Sequence, residues 1–402
     1  MKKDVFTPTD ILLPDGIDME CWSVIACDQF SSEREYWDRV RERVKNSPST
    51  FNMIIPEAYL DELDEGPIHA AMAEYLASGL FKEIRDSFIY VERTQADGRV
   101  RRGIVGAVDL DEYDFSGAGN AAILASEGTV LDRLPVRINV RRQALLELPH
   151  IMAFIDDKSL SVIEPLAKKN LQVLYDFNLM EGGGSIVGKR IDGDDAAGVM
   201  SALAALREKS GPLMVIGDGN HSLAAAKVYW DELKQSLTDK ERETHPARRA
   251  LLEINNVYDP AIDFEAIHRV MFGVNPAAFI EAFEKAVPKG DDYKLRWVYG
   301  DMTCVTGVAA ACIGDMLAAM QTFLDDYAKA NDCRVDYIHG KESIEELAKE
   351  EGTLGLILPA MDKSELFKTV AESGVFPKKS FSVGHARDKR YYLECRRIRA
   401  LV

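Results

Sequence analysis

Residues 217–222, Gly-Asp-Gly-Asn-His-Ser, bring a carboxylate, an amide, an imidazole and a hydroxyl together around two glycines. They open the stretch GDGNHSLAAAK (217–227), which follows the apolar run PLMVI (212–216) and leads into an alanine-rich helical pattern through Val228, Tyr229 and Trp230. That order predicts a strand, a tight turn and a helix. Gly217 and Gly219 allow backbone angles and close approaches that a Cβ resists. The turn delivers Asn220, His221 and Ser222 to the first helical turn, where unpaired N–H groups and the positive dipole end favour an anion. Asp218 can hold a divalent metal beside that anion, and His221 can donate to a phosphate oxygen or shuttle a proton. Phosphate handling is the chemistry this pattern predicts. The competing expectation is an ordinary turn, capped by Asn220 or Ser222, with His221 packed and satisfied.

Four other stretches carry groups of chemical interest. In SEGTVLDR (126–133), Glu127 and Thr129 flank Gly128, with Asp132 and Arg133 close behind. A carboxylate in a cleft can take a proton from a substrate hydroxyl. A helix start capped by Ser126 or Thr129 would use the same residues. EGGGSIVGKR (181–190) imitates a Walker A loop, but Arg190 stands where a magnesium-binding hydroxyl belongs and no helix follows, so it reads as a glycine-rich turn. CDQFSSE (27–33) precedes a helix that Ser31 or Ser32 could cap, with Glu35 reaching back; Asp28 and Gln29 could line a substrate pocket, and Cys27 is a conceivable thiol nucleophile. Late in the chain, PKKSF (377–381) places Lys378, Lys379 and Ser380 in a turn able to bind a dianion, with His385 nearby and His339 at an earlier strand edge.

These groups must be positioned by a chain of 402 residues that is 47% hydrophobic, enough for a substantial core. A net charge of −17 argues against nucleic acid as a partner, because phosphate-backbone contact needs clustered Lys and Arg. No apolar run approaches a membrane span, and the start MKKDVFTPTD lacks a secretory apolar centre, so no membrane association and a cytoplasmic location are expected. Six scattered cysteines without zinc spacing are expected to be free thiols, mostly buried.

Three regions follow from the patterns. Residues 1–95 hold turns, a short apolar piece at 22–27, and helices expected near 33–45 and 69–88. In 96–290 strands and helices alternate: RRGIVGAVDL, IMAFID and PLMVIGD as strands, RRQALLEL and 196–209 as helices. Residues 291–402 restart with KLRWVYG and TCVTGVAAAC extended, then a helix over MLAAMQTFLDDYAKA, strand RVDYIH, a helix at 343–350, strand LGLILP and a helix at 364–373. The alternation predicts an α/β or α+β chain.

Taken in order, SEGTVLDR, LPHIMAFIDD, IGDGNHSLAAAK, IHRV, DYIHG and FPKKSFSVGHA resemble the bacterial and archaeal family known as domain of unknown function 1015. A more distant resemblance is to archaeal free-serine kinases, whose nucleotide-binding domain is related to ParB and sulfiredoxin. Those carry an H-E-Q segment, a strand ending in D-G-H-H-R and a late P-K-T-T turn. The resemblance implies a ParB/sulfiredoxin-like catalytic core at 96–290, extended by the N-terminal and C-terminal regions. It matches Glu127 to the base that deprotonates the serine hydroxyl, Asp218, Gly219 and His221 to the nucleotide turn, and Lys378 to the late lysine. Ser126, Asn220 and Ser222 replace two histidines and an arginine of those motifs. Losing the arginine removes a bidentate phosphate fork, so Lys227, Lys378 or another cation must supply charge.

The expectation is therefore a small-molecule phosphotransferase acting on free serine or a similar hydroxy amino acid, or running in reverse on phosphoserine. ADP, pyrophosphate or ATP would be the phosphate partner. Glu127 would act as base, Asp218 would hold Mg2+, His221 and the helix start would neutralise the transferring group, and Thr129, Arg133, Lys227, Lys378, Lys379, Ser380 and His385 would attend the phosphates. Asp28, Gln29 and His339 would line the substrate. The alternatives are a nucleotide-binding regulatory module without turnover and, more remotely, a thiol hydrolase built on Cys27.

Overall fold

The computed structural model describes residues 4–59, 64–117, 120–208 and 211–399. Its chain forms two compact units, and the α/β character expected from the alternating patterns is present in both. The first unit comprises Met1–Leu124, Thr129–Ile262 and His385–Val402; the second comprises Ala125–Gly128 and Asp263–Gly384. These units cut across the three consecutive regions suggested by sequence patterns.

The first unit is built on a mixed eleven-stranded sheet. Its centre is Arg249–Asn256, buried along nearly its whole length, antiparallel to Val100–Asp109 and parallel to Met152–Ile155. Burial on both faces accounts for the apolar runs IVGAV and MAFI of the two flanking strands. Met214–Asp218 pairs antiparallel with Met152–Ile155. From its end the Asn220–Leu233 helix packs Ala224 and Ala225 against Leu134 and Ile138 of the Leu134–Gln143 helix. Small side chains there allow the two helices to approach closely.

Charges are buried in this unit as paired sets. Arg390 bonds both Glu253 and Glu394, and Tyr175 donates to Glu394 at 2.6 Å. Glu147 is held at 2.6 Å by both Arg141 and Arg396. Such pairs survive burial because each charge has an opposite charge beside it; removing one leaves an uncompensated charge.

The second unit is an antiparallel five-stranded sheet in the order Met302–Val308, Lys289–Tyr299, Thr353–Ile357, His268–Phe272, Arg334–Ile338. An aromatic cluster of Phe279, Phe283, Phe323, Tyr327 and Trp297 joins its helices Pro276–Ala286 and Ile313–Asn331 to the sheet.

Several local expectations are corrected. The helix expected over 69–88 is Gly66–Ala77; Gly79 turns left-handed at φ 71°, and Phe81–Thr94 is a strand rich in aromatic and β-branched residues. Of RRQALLEL only Arg141, Arg142 and Gln143 are helical, and Leu146–Glu147 pairs with Arg396–Arg397. EGGGSIVGKR is a turn only at its start: Ser185–Ile191 is a strand, and Lys189 is ion-paired with Glu92 at 2.5 Å. The helix at Arg34–Val44 begins after Glu33 with no side-chain cap, so neither Ser31 nor Ser32 serves. All six cysteines are free; Cys312 and Cys395 are fully buried and the other four partly so.

Candidate functional site

The 217–222 turn has the predicted shape. Met214, Val215 and Ile216 are fully buried in their strand. At Gly217 a Cβ would stand 2.1 Å from the Phe154 ring, and Gly219 adopts the left-handed conformation at φ 77° with Ile151 directly against it. Gly219 is itself the residue preceding the helix, so the cap is neither Asn220 nor Ser222, which both lie inside the first turn. Only glycine satisfies both the dihedral and the contact.

Around this turn the first unit assembles a polar cluster. Asp218 accepts the Gly219 N–H through Oδ1 at 2.9 Å. Its Oδ2 is buried without a hydrogen bond and lies 3.3 Å from the Lys389 ammonium, which is itself 8% exposed. His221 accepts the Val130 N–H at Nε2, 3.1 Å, which places its own proton on Nδ1. Any donation from His221 to a phosphate would therefore come from Nδ1. Thr129 Oγ1, one residue before Val130, is buried without a hydrogen-bond partner.

Ser222 Oγ lies 3.2 Å from His150 Nε2, and His150 Nδ1 lies 3.1 Å from the Tyr392 hydroxyl, which also accepts the Cys27 N–H at 3.3 Å. Beside them, the Gln29 amide donates to Asp28 at 3.0 Å. Burial pushes the Asp28 carboxyl up, but His150, the Gln29 amide and Lys389 together outweigh it and hold the group below the ordinary carboxylate value. Burial, reinforced by Asp28, pushes the Cys27 thiol up to about 12. A thiol so placed is a poor nucleophile at neutral pH, which counts against the hydrolase alternative.

Asp28, Gln29, Thr129, Asp218, Gly219, Asn220, His221 and Ser222 thus all belong to the first unit. Lys227 is instead paired with Asp231 at 2.9 Å, about 10 Å along the helix from its start at 1.5 Å per residue. His385 is exposed, and the Arg133 side chain lies outside the described residues. Sequence reasoning missed Lys389, His150 and Tyr392. His150 sits within LPHIMAFIDD, a stretch noted for resemblance without a role for its imidazole.

The second unit holds its own cluster. Glu127 forms a parallel bridge with Phe376. Arg269, fully buried, donates to Gln321 at 2.9 Å and to the Lys379 carbonyl at 3.0 Å, while its Nη2 has no hydrogen bond. Burial pulls this guanidinium down to about 10, against Tyr337, Asp325 and Glu127, which raise it. Tyr337 is contacted by both Arg269 and the Lys379 ammonium, 4.5 and 4.8 Å from its ring centre. Ser380 is buried and spends its hydroxyl on the Pro377 carbonyl at 2.6 Å; Lys378 and His339 are exposed.

Among the described residues no three His, Cys, Asp or Glu side chains gather as a metal cluster. A magnesium ion characteristically uses one or two carboxylates and completes its shell with phosphates and water. The unbonded Asp218 Oδ2 fits that pattern, provided Lys389 yields it.

The family model described as protein of unknown function (DUF1015) matches residues 12–395. The chain belongs to this family. The DUF1015 chain matches no curated protein. Among solved structures it is similar to SbnI with C-terminal truncation from Staphylococcus aureus, at 9% identity over 70% of this chain and 82% of that one, with a TM-score of 0.37. It is also similar to a free serine kinase in complex with AMP, at 12% identity over 73% and 90% of the two chains, TM-score 0.37. A conserved hypothetical protein from Pyrococcus furiosus aligns at 11% identity over 73% and 94%, TM-score 0.35.

Proposed function

We propose that this DUF1015 protein is a small-molecule phosphotransferase, with phosphate held at the start of the Asn220–Leu233 helix and free serine or a similar hydroxy amino acid as acceptor. The observation that supports this best is the Asp218–Gly219 turn: a left-handed glycine opening a helix, an Asp218 oxygen buried without a hydrogen bond, and the Lys389 ammonium 3.3 Å from it. A helix start gathers N–H groups and positive dipole toward an anion, and a buried ammonium adds full charge. Lys389 supplies a cation that Ser222, standing in place of the kinase arginine, does not. Bound Mg2+ would supply charge neutralisation on the donor phosphates, with Asp218 as its protein ligand. The role of base is assigned to Glu127 by motif resemblance. Mixing ADP, pyrophosphate or ATP with serine, or phosphoserine with ADP or phosphate, and following phosphorus NMR tests the reading; no transfer in any combination would end it. Glu127→Gln is expected to lower kcat by about 10² to 10⁴ with donor binding retained.

The second reading is a nucleotide-binding regulatory module. It draws support from Ser222, whose hydroxyl is engaged with His150. Calorimetric binding of ADP or ATP with no product from any acceptor would favour it.

A further inference from the structure

The first unit holds a cleft of about 180 Å³, partly open to solvent, whose apolar part none of these roles uses. Its walls are apolar, drawn from Met53, Ile68, Met72, Val140, Leu148 and Ala226 among others, and His150, Ser222 and Tyr392 reach it from the polar cluster. An apolar cavity of roughly 150 Å³ suffices to take up benzene. The space here admits one six-membered ring with a short substituent.

The charged groups lining it decide the ligand's chemistry. Glu57 is ion-paired with Arg137, and Glu147 with Arg141 and Arg396. A charged guest would find its potential partners already committed and would lose part of its hydration without a counter-charge. The hydrogen-bonding groups on the lining are different in kind. Ser222 Oγ, His150 Nε2 and the Tyr392 hydroxyl form a continuous chain, and a neutral hydroxyl can join such a chain as donor or acceptor without bringing charge.

We propose that this cleft is a binding site for a small neutral alcohol with an apolar body, monocyclic aromatic or branched aliphatic, whose hydroxyl meets the Ser222–His150 pair. The proposal does not rest on phosphoryl transfer, although Ser222 also lies in the first turn of the helix proposed to hold phosphate, and the cleft is too apolar to favour zwitterionic serine.

The test uses the full chain carrying carbon-13 methionine methyls, titrated with benzyl alcohol, toluene, benzoate and benzylamine. Benzyl alcohol is expected to bind at least about tenfold more tightly than benzoate or benzylamine, and to show cross-relaxation with the Met53 and Met72 methyls. Ala226→Leu, which fills the cleft from the helix, is expected to weaken benzyl alcohol at least about tenfold while circular dichroism stays unchanged. Ser222→Ala should bring benzyl alcohol toward the affinity of toluene. Equal binding of the charged analogues, contacts to other methionines, or no saturation by about 10 mM would each overturn the proposal. The wild-type methyl contacts decide the matter even if Ala226→Leu fails to fold.

Discussion

Asp218 and Lys389 set the electrostatics of the candidate site, and neither is free of the other. Their side chains are 15% and 9% exposed, so removing one charge strands its partner where water compensates poorly. Asp218→Asn and Lys389→Met are each expected to destabilise the protein by about 3 kcal/mol, and the double variant by less than their sum. Denaturant midpoints of the four proteins in that cycle provide the check. Additive losses would show the pair uncoupled. Asp28 adds a pH dependence whose sign is fixed. Its carboxyl is held below the ordinary value, so its contribution is complete above the ordinary carboxylate range and is lost as pH falls through the native value. At this scale the sequence was half legible. Glycines beside Asp218 marked the turn because local backbone demands are written locally. Lys389 lies 171 positions away and reaches Asp218 through tertiary pairing, as when Tyr391–Tyr392 joins Val24–Ile25, and no local pattern encodes that.

The elements carry a lesson about glycine. Gly217, Gly219 and Gly188 look alike in sequence yet answer different needs. Gly219 needs a positive φ, whereas Gly188 lies mid-strand because a Cβ there would stand 2.0 Å from the Tyr175 ring. Reading 181–190 as a turn failed for this reason: a glycine in a strand can mark close packing as well as a bend. Gly219→Ala is expected to cost about 1–3 kcal/mol from the left-handed backbone alone, before the contact with Ile151. Its signature would be a lower melting temperature and, on the proposed function, weaker binding of the phosphate donor. A variant with unchanged stability would contradict the assigned backbone geometry. The 69–88 segment failed differently, because helical periodicity in its first half gave no warning that Phe81 begins a strand whose partners, Thr9–Pro14, Val100–Asp109 and Ser185–Ile191, lie elsewhere in the chain.

At the scale of the whole molecule, alternating patterns revealed the α/β class, but the interleaving of the two units left no mark in composition. The second unit contributes its own pH response through His268. Burial, then Lys341 and Arg269, push this imidazole down to about 4, and its Nδ1 accepts the Leu358 N–H at 3.2 Å. The unfolded chain would take up a proton near the ordinary histidine value of about 6.5 while the native protein does not. Stability conferred by this site is therefore complete above that value and falls as pH drops toward 4, by up to about 3 kcal/mol. Faster amide exchange at Leu358 at pH 4.5 than intrinsic rates require, abolished in His268→Gln, is the expected readout. The late segment that closes the first unit has a further consequence for biosynthesis. Arg390, Arg396 and Lys389 are translated after the whole of 263–384, yet they neutralise Glu253, Glu147 and Asp218. On the ribosome the earlier-made carboxylates must wait, solvated, while the inserted unit has every residue it needs. Order of emergence thus runs against order of position: the part begun first is the part sealed last.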